Sequence, residues 1–381
     1  MIVAGEASGD LNAGLLVTEL RRRCPELHVF GCGGEALQAA GCELLVNASE
    51  LAVVGLFEVV RHLPRFLGLY RRLRRALLAR RPRGLVLVDF PDFNLRLARA
   101  AHSAGIPVIY FISPQLWAWR AGRVRQIQRH VDRMLCIFPF EKAFYACHGV
   151  AVDYVGHPLV DLVRPRSSRM EFFARHGLDP DIPLIALLPG SRRREVEFHL
   201  PILLEAARQL HTGQPVQFVL PLASTLDVAE MECRLASAPG LVQLVRGATY
   251  DALAYARLAI VASGTTTVET ALLRTPMVVI YRLSPWTYAL GRRLVKTPYF
   301  AMVNLIVGQA EVPELIQKEL TVSAVVDWAR RLLADGPERT RQLAHLEAAR
   351  EQLGAPGAIG RAAAAVIQTL NLRVQSASPL S

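Results

Sequence analysis

VAGEASGD at residues 3–10 and LLPGSR at residues 187–192 are two stretches of the same build in opposite halves of the chain. Each follows a short apolar run typical of a strand and precedes a helical pattern. Small residues at such a turn allow backbone N–H groups to face an anion. The pair of turns therefore predicts two similar α/β halves, with a cleft between them where two substrates could meet.

Length and composition agree with two domains. The 381 residues exceed what one hydrophobic core usually supports, and 52% of them are hydrophobic, which is enough for two cores. No apolar run approaches the roughly 20 residues of a membrane-spanning helix, and no signal-peptide pattern is present. We therefore expect a cytoplasmic protein.

Short apolar runs alternate with helical patterns in both halves. The predicted strands are residues 2–4, 29–31, 84–88, 108–111 and 134–138, then 184–188, 216–220, 242–244, 258–261 and 278–281. This alternation predicts an α/β fold of two Rossmann-like, doubly wound domains, whose parallel sheets bind ligands at the carboxyl ends of their strands.

The expected domain limits follow from the proline-rich stretch near residues 163–183. We predict an N-terminal domain over residues 1–163 and a C-terminal domain over 164–336. Helices in 337–373 could pack on the N-terminal domain or on a partner chain, so a homodimer is left open. Residues 374–381 are expected to be a disordered tail.

The chain is strongly basic, with a formal net charge of +11. A basic surface attracts phosphates, nucleic acid or anionic lipid. The arginines of residues 61–83 are interleaved with apolar residues at helical spacing, and no acidic residue follows Glu58 in this segment. This pattern is typical of an interfacial membrane helix, although an ordinary amphipathic helix with a solvated basic face has it too.

Two acidic residues follow the apolar run LVLV at residues 85–88. Asp89 comes directly after this predicted strand, where a carboxylate could accept a proton from an attacking hydroxyl if partial burial raises its pKa. A turn-capping role for Asp89 is equally compatible with this position. Asp92 precedes a helical pattern and is expected to be an N-cap.

The second half contains the stronger candidates for a nucleotide site. Gly190 and Ser191 form an open turn, and Arg192 beside them could clamp a pyrophosphate. A second turn follows the predicted strand 258–261, with the small or hydroxylic residues Ser263, Gly264 and Thr265. Glu269 lies one helical turn further on, where it could accept the hydroxyls of a ribose or simply favour the helix N-terminus.

The sequence contains no evident metal-binding cluster. Asp179 and Asp181 have the DxD spacing of metal-dependent sugar transferases, but Pro180 between them indicates a turn. His157 follows a predicted strand near the domain junction, where it could line the cleft or be structural. We therefore expect neither a metal site nor a bound cofactor.

A set of motifs resembles the lipid-A-disaccharide synthase family. They are GEASGD at residues 5–10, DFPDFN at 89–94, SPQLWAWR at 113–120, PFEK at 139–142, VGHP at 155–158, LPGSR at 188–192, ASGT at 262–265 and RLVKT at 293–297. The resemblance extends to about Leu315, and the WAWR block with the two Gly-Ser turns is very specific.

This resemblance implies an inverting, metal-free glycosyltransferase of the B type, acting at the cytoplasmic face of the inner membrane. The implied reaction transfers diacylglucosamine from UDP-diacylglucosamine to diacylglucosamine 1-phosphate, so the UDP-sugar is a substrate and not a cofactor. Asp89 matches the family's proposed general base. Arg192, Ser263, Thr265 and Glu269 fall in the UDP-binding half.

Two further residues, Ser8 and Asn304, match motif positions needed for activity in the family. The family's usual Leu-Pro before Asn304 reads Met302-Val303 here. Rival interpretations are another UDP-sugar enzyme of the same fold, such as an epimerase or the peptidoglycan glucosaminyltransferase, and a basic nucleic-acid-binding protein. No recognised nucleic-acid-binding module is present, so we expect no nucleic-acid partner.

Overall fold

The chain forms two compact units in the computed structural model, which describes residues 1–48, 59–119, 121–284, 288 and 297–374. The side chains of residues 59–65, 119 and 121 are not among the described parts. The first unit comprises Met1–Pro158 and the chain from Gly354 onward, and the second unit comprises Leu159–Leu353.

The sheet of the first unit has seven strands in the order β3-β2-β1-β4-β5-β6-β7, and its paired strands are parallel. The strands are β1 Ile2–Ala4, β2 Phe30–Gly33, β3 Glu43–Asn47, β4 Leu85–Val88, β5 Val108–Phe111, β6 Arg133–Cys136 and β7 Asp153–Tyr154. The central strands are fully buried apolar runs, as a sheet covered on both faces requires.

The sheet of the second unit has six strands in the order β10-β9-β8-β11-β12-β13, again paired in parallel. The strands are β8 Leu184–Leu188, β9 Gln217–Leu222, β10 Val242–Arg246, β11 Leu258–Ala262, β12 Met277–Tyr281 and β13 Glu314–Ile316. The predicted α/β class with two doubly wound parallel sheets is thus confirmed, whereas β3 and β13 were missed by the sequence pattern.

Helices connect the strands and cover the sheets. In the first unit they are α1 Ala7–Arg23, α2 Glu35–Ala39, α3 Val59–Arg80, α4 Pro91–Ser103, α5 Leu116–Trp119, α6 Val124–His130 and α7 Pro139–Ala146. In the second unit they are α8 Leu159–Leu162, α9 Arg169–Arg175, α10 Arg193–Gly213, α11 Val228–Leu235, α12 Thr249–Tyr255, α13 Thr265–Leu272, α14 Met302–Val307, α15 Val322–Leu333 and α16 Pro337–Gln352. The last helix, α17 Ala358–Leu370, belongs to the first unit.

Each sheet reverses its strand order at one place. In the first unit the reversal lies between β1 and β4, and in the second between β8 and β11. Open α/β sheets bind ligands outside the carboxyl ends of the strands at such switch points. The paired turns that opened the sequence analysis follow β1 and β8, so both lie at switch points.

Helix α3 corrects the interpretation of its apolar residues as lipid-facing. Leu69, Leu73 and Leu77 are buried in the core of the first unit, where they pack with strand and α4 residues. The arginines between them, such as Arg71 and Arg75, are exposed. This part of α3 is therefore an amphipathic helix with a solvated basic face, and residues 49–58 before it lie outside the described range. None of the described helices is both long and apolar enough to cross a membrane.

The C-terminal helices belong to different units. In α16, Gln342 is fully buried and bonds both the N–H (2.6 Å) and the carbonyl oxygen (3.1 Å) of Met277 in β12. In α17, the Arg361 guanidinium donates to the carbonyl oxygen of Val155 at 2.8 Å. Leu370 lies so close to Gly84 that a β-carbon there would clash with it. The helix thus packs on the first unit of its own chain.

Asp10, the last residue of the GEASGD motif, is a structural residue. Its buried carboxylate accepts hydrogen bonds from the backbone N–H groups of Gly34 (2.6 Å), Ala36 (2.9 Å) and Leu37 (3.3 Å). Asp10, which lies in α1, thereby supplies the hydrogen-bond acceptor for the N–H groups at the start of α2. Such unpaired N–H groups at a helix start attract a negative charge. The motif therefore links α1 to α2.

We expect Asp10→Ala to lower the free energy of unfolding by about 1–3 kcal/mol, because one buried and two partly buried N–H groups lose their acceptor. Chemical denaturation of the purified chain measures this loss. Glu26→Ala, which removes an exposed carboxylate of the same unit, serves as the control and should change the unfolding midpoint little. Equal midpoints for the two variants would contradict the role of Asp10.

Candidate functional site

The switch point of the first unit brings the β1 and β4 turns into contact. Gly5 follows β1, and a β-carbon at this position would clash with the ring of Phe90. Phe90 directly follows Asp89 at the end of β4. The glycine is therefore required because the two turns approach each other closely, and Asp89 lies at the edge where a ligand of this sheet is expected.

The backbone of Asp89 is held in an uncommon conformation. Asp89 and Phe90 have φ values of 46° and 50°, in the left-handed region. The carbonyl oxygen of Asp89 accepts hydrogen bonds from the Tyr110 hydroxyl (2.5 Å) and from the Asn94 side-chain amide (2.7 Å). Both donors come from buried side chains. Such strain persists only where neighbours hold it, and here it fixes the direction of the Asp89 side chain.

The electrostatics of Asp89 suit a proton acceptor. Burial raises the pKa of its carboxyl from 3.8 to about 7, and the nearby Glu6 carboxylate adds to the rise. A base with a pKa near the working pH combines a useful ionised fraction with a strong enough driving force for proton transfer. The sequence-based expectation of a raised pKa agrees with this environment.

The expected N-cap role of Asp92 is wrong. Helix α4 begins at Pro91, and its N-cap residue is Phe90. Asp92 is the second helical residue and forms an ion pair with Arg123. With Pro91 at the first helical position, the helix begins two residues earlier than an N-cap at Asp92 would place it.

Ser8 lies at the beginning of α1, close to the β1 turn. It is exposed, and its carbonyl oxygen accepts a hydrogen bond from the Asn12 side chain at 2.9 Å. The N-cap of α1 is Glu6, so Ser8 does not cap the helix. An exposed hydroxyl at a helix start on the ligand edge is available to a substrate.

The second unit contains a cavity of about 610 Å³ at the carboxyl ends of β8 to β11. Gly190, Ser191 and Glu269, all predicted from the sequence, line it. Other lining residues come from the turns after the four strands and from the start of the unit, among them Arg166, Pro221, Leu222, Arg246, Gly247, Ala248, Thr249, Tyr250, Asp251, Ala262 and Thr266. The cavity is therefore built at the second switch point, where a doubly wound sheet binds its ligand.

Glu269 is anchored inside this cavity by a residue that the sequence analysis missed. The Tyr250 hydroxyl donates a hydrogen bond to Glu269 Oε1 at 3.1 Å. Burial raises the pKa of Glu269, and the hydrogen bond from Tyr250 opposes that rise. One carboxylate oxygen is thus held by the protein, which aims the side chain into the cavity.

The Gly190 turn differs from the sequence-based expectation of free N–H groups facing a ligand. The backbone N–H groups of Ser191 and Arg192 donate to Glu195 Oε2 at 3.0 and 3.2 Å. The exposed Arg192 guanidinium also contacts Glu195 Oε1 at 3.3 Å. Gly190, at φ 125°, has no room for a β-carbon because Glu195 folds over it. The anion at this turn is thus a carboxylate of α10 itself.

His199 in α10 holds the Gly190 turn through a hydrogen bond to the residue before it, Pro189. Its ring is fully buried and bonds the carbonyl oxygen of Pro189 (2.6 Å) and the N–H of Arg282 (2.9 Å). Burial lowers the pKa of His199. The neutral ring can donate through Nδ1 and accept through Nε2, as both contacts require.

The β11 turn places its small residues at the surface. Gly264 is the N-cap of α13, and Gly264 and Thr265 are exposed. The Ser263 hydroxyl donates to the carbonyl oxygen of Phe300 at 2.9 Å. Gly264 and Thr265 are therefore accessible to a ligand. Ser263 instead connects the turn to the segment before α14.

Asn304 lies in the interior of the second unit. Its side chain is fully buried, donates to the Val312 carbonyl (2.9 Å) and to Glu314 (2.8 Å), and accepts the Val312 N–H (3.1 Å). Glu314 also accepts the N–H groups of Phe300 and Ala301. Asn304 and Glu314 thus hold the segment whose Phe300 carbonyl accepts the Ser263 hydroxyl.

Arg166 and Tyr250 were missed for different reasons. Tyr250 follows Gly247-Ala248, a small-residue turn after a strand, which is the same signal that identified the other turns. Arg166 comes from the segment after α8, and the buried Asp251 holds its N–H at 2.7 Å. This contact joins residues far apart in sequence, so no local pattern could indicate it.

His157 is a structural residue rather than an open cleft residue. It is 5% exposed and its ring lies 5.1 Å from that of Phe138. Burial lowers its pKa from 6.5 to about 4. Among the described residues, no group of three or more His, Cys, Asp or Glu side chains is arranged to hold a metal ion.

Two doubly wound parallel sheets, each with polar groups at its switch point, define the class of B-type glycosyltransferases and the UDP-sugar epimerases that share their fold. Solved structures with this fold include the calicheamicin glycosyltransferase CalG4, with a TM-score of 0.61 and 17% identity over 99% of this chain and 98% of that one. A UDP-GlcNAc 2-epimerase from Neisseria meningitidis, bound to UDP-GlcNAc, has a TM-score of 0.65 and 13% identity over 96% and 99% of the two chains. These likenesses show the fold alone.

The sequence comparisons identify the family. The family model described as lipid-A-disaccharide synthetase matches residues 1–366. The lipid-A-disaccharide synthase of Solibacter usitatus is 47% identical over 379 residues, 99% of each chain. That of Koribacter versatilis is also 47% identical, over 93% of this chain and 92% of the relative. The chain belongs to the lipid-A-disaccharide synthase family, and its activity is that of a glycosyltransferase.

Proposed function

We propose that the chain transfers 2,3-diacylglucosamine from UDP to the 6-hydroxyl of 2,3-diacylglucosamine 1-phosphate. The products are the β-1,6-linked lipid A disaccharide 1-phosphate and UDP. The observation that carries this mechanism, in a chain of this family, is the position of the Asp89 carboxyl after β4 at the first switch point. Burial there raises the pKa of this carboxyl from 3.8 to about 7, which supports the same role. The acceptor then belongs to the first unit and the donor to the second.

Asp89 acts as the general base. It takes the proton of the acceptor 6-hydroxyl while that oxygen forms a bond to the anomeric carbon of the donor. The bond from the anomeric carbon to the β-phosphate oxygen breaks, and its electron pair leaves with UDP. Attack from the face opposite the leaving group inverts the anomeric configuration. Ser8, exposed near the same turn, supports this step by binding the acceptor.

The cavity of the second unit holds the UDP part of the donor. Glu269 accepts the ribose hydroxyls with the carboxylate oxygens that Tyr250 orients. Arg192, with the N-terminal end of α13 at Gly264 and Thr265, stabilises the negative charge that grows on the leaving diphosphate. Gly190 and Ser191 supply the wall beside it. This arrangement requires neither a metal nor a cofactor.

The N-terminal unit is proposed to dock on the cytoplasmic face of the inner membrane. Both substrates carry acyl chains, and the exposed arginines of α3 give this unit a basic face. Each arginine near an anionic surface contributes about 1 kcal/mol of attraction. The buried Leu69, Leu73 and Leu77 anchor α3 to the core, so the membrane contact is electrostatic along this part of the helix.

The role of Asp89 predicts the pH dependence of the reaction. The active form is the carboxylate, so kcat/KM should fall about tenfold per pH unit below a pKa near 7. Asp89→Asn removes the base and should lower kcat by about 10²–10⁴-fold. Initial rates of UDP release between pH 5 and 9 measure both effects.

Asp92→Asn is the matched control for this experiment. Asp92 lies three residues further on and its ion pair with Arg123 is partly exposed, so its loss should change kcat by no more than about threefold. An Asp89→Asn enzyme with near-wild-type turnover would rule out the base.

The ribose contact predicts a selective loss of nucleotide affinity. Glu269→Gln should weaken UDP binding about tenfold or more, because a charged acceptor of two hydroxyls becomes a neutral amide. Calorimetric titration with UDP and 2′-deoxy-UDP measures this: wild type should prefer UDP, and the variant should bind the two equally. Glu205→Gln, an exposed residue paired with Arg208, is the control. A variant that still prefers UDP would disprove the ribose contact.

The docking proposal predicts weaker vesicle binding for the double variant Arg71→Glu/Arg75→Glu. Its affinity for vesicles containing phosphatidylglycerol should drop roughly tenfold or more, since two attractive charges become repulsive. Arg125→Glu/Arg129→Glu changes the same charge on exposed positions of α6 and is the control. Sedimentation with vesicles measures binding, and equal losses in both double variants would show that α3 is not the docking face.

A further inference from the structure

Polar side chains cross the first unit beneath the carboxyl ends of β4, β5 and β6. The Tyr110 hydroxyl donates to the Asp89 carbonyl oxygen at 2.5 Å. Ser113, after β5, shares a hydrogen bond of 2.8 Å with the Tyr145 hydroxyl. Tyr145 lies in α7, the helix that also carries Glu141. These contacts bring Glu141 to the same edge of the sheet as Asp89, although the general-base mechanism does not use it.

Glu141 is a buried carboxylate surrounded by donors. It is 1% exposed and accepts the backbone N–H groups of Ile137 and Phe138 at 3.3 and 3.1 Å. Its other oxygen accepts the indole N–H of Trp117 in α5 at 3.3 Å. Capping the first turn of a helix does not require burial, because Glu171 accepts the Ser168 N–H in the same way at the surface of α9. Glu141 differs from Glu171 in its burial and in its side-chain contact to Trp117.

Trp117 belongs to a row of rings that we call the aromatic wall, made of Trp117, Phe140, Phe138 and His157. The Trp117 ring meets the Phe140 ring edge-on at 5.0 Å, and Phe140 stacks on Phe138 at 5.5 Å. His157 completes the row against Phe138. Phe138 and His157 are buried, whereas Trp117 and Phe140 are partly exposed. The exposed end of the wall is thus the end that Glu141 holds.

We propose that Glu141 is a positioning residue that fixes Trp117 so that the aromatic wall packs against the sugar ring of the acceptor. A pyranose ring has an apolar C–H face, and a large ring held in one orientation offers it contact area with little loss of entropy. A single indole N–H bond to a buried carboxylate fixes that orientation. This inference rests on the proposed placement of the acceptor in the first unit.

The test uses Glu141→Gln and Trp117→Phe in the full chain. The glutamine oxygen can still accept the N–H groups of Ile137 and Phe138, but its NH₂ group then faces the indole N–H, so the contact to Trp117 is lost. Trp117→Phe removes the same contact from the other side. Each variant should raise KM for the acceptor about fivefold or more, with kcat and KM for the UDP donor within about twofold.

The double variant and a matched control separate positioning from general damage. Glu141→Gln combined with Trp117→Phe should be no worse than the more affected single variant, because both remove one contact. Glu171→Gln, at the equivalent helix position without an aromatic partner, should leave the acceptor KM unchanged. If Glu141→Gln does not fold, Trp117→Phe alone decides, since it leaves the capping of α7 intact.

The outcomes that overturn the inference are distinct from those that overturn the proposed function. An acceptor KM within about twofold of wild type in the folded variants, or donor and acceptor KM values that rise together, would show that the wall does not bind the acceptor. Additive effects in the double variant would show that Glu141 does not act through Trp117. A wild-type chain that releases no UDP from the donor and acceptor would instead refute the proposed reaction.

Discussion

The reversal of strand order in each parallel sheet is the constraint on which the rest of the structure depends. Between β1 and β4, and again between β8 and β11, the connecting helices leave in opposite directions, so the turns at the strand ends are not covered. Asp89 lies at the reversal in the first unit. The 610 Å³ cavity that Glu269 lines lies at the reversal in the second unit. The chemistry is therefore concentrated where the backbone connectivity leaves the sheet edge open.

Local sequence pattern was sufficient for features that depend on neighbouring residues. Apolar runs identified most strands, and small residues after a strand identified the turns at Gly5, Gly190 and Ser263. The position of Asp89 directly after β4 was predicted correctly, because the end of the apolar run marks the end of the strand. These inferences succeed because strand burial and turn geometry are dictated within a few residues.

Contacts between distant segments could not be predicted in this way. The pattern of α3 indicated an apolar stripe but not what covers it, and the stripe of Leu69, Leu73 and Leu77 is covered by the core. Asn304 matched a motif, yet its side chain is buried against Glu314 in β13 and Val312 just before that strand. These contacts lie beyond the motif that identified Asn304. The Tyr250 contact that orients Glu269 likewise joins two separate helices.

The backbone N–H groups of the Gly190 turn bind a carboxylate of the protein itself. Glu195 occupies the N–H groups of Ser191 and Arg192, so the turn is satisfied by the protein alone. In the proposed donor site, a diphosphate near Arg192 would therefore meet this internal carboxylate. Under that proposal, donor binding depends on the charge balance in the first turn of α10 as well as on the shape of the cavity.

The return of the chain to the first unit at α17 has a consequence for biosynthesis. The second unit is one continuous stretch, Leu159–Leu353, whereas the first unit is assembled from two stretches that flank it. A ribosome releases α17 only after the whole second unit has been made. During translation the surfaces of α1 and Gly84 that α17 covers remain uncovered, so the unit that begins first is completed last.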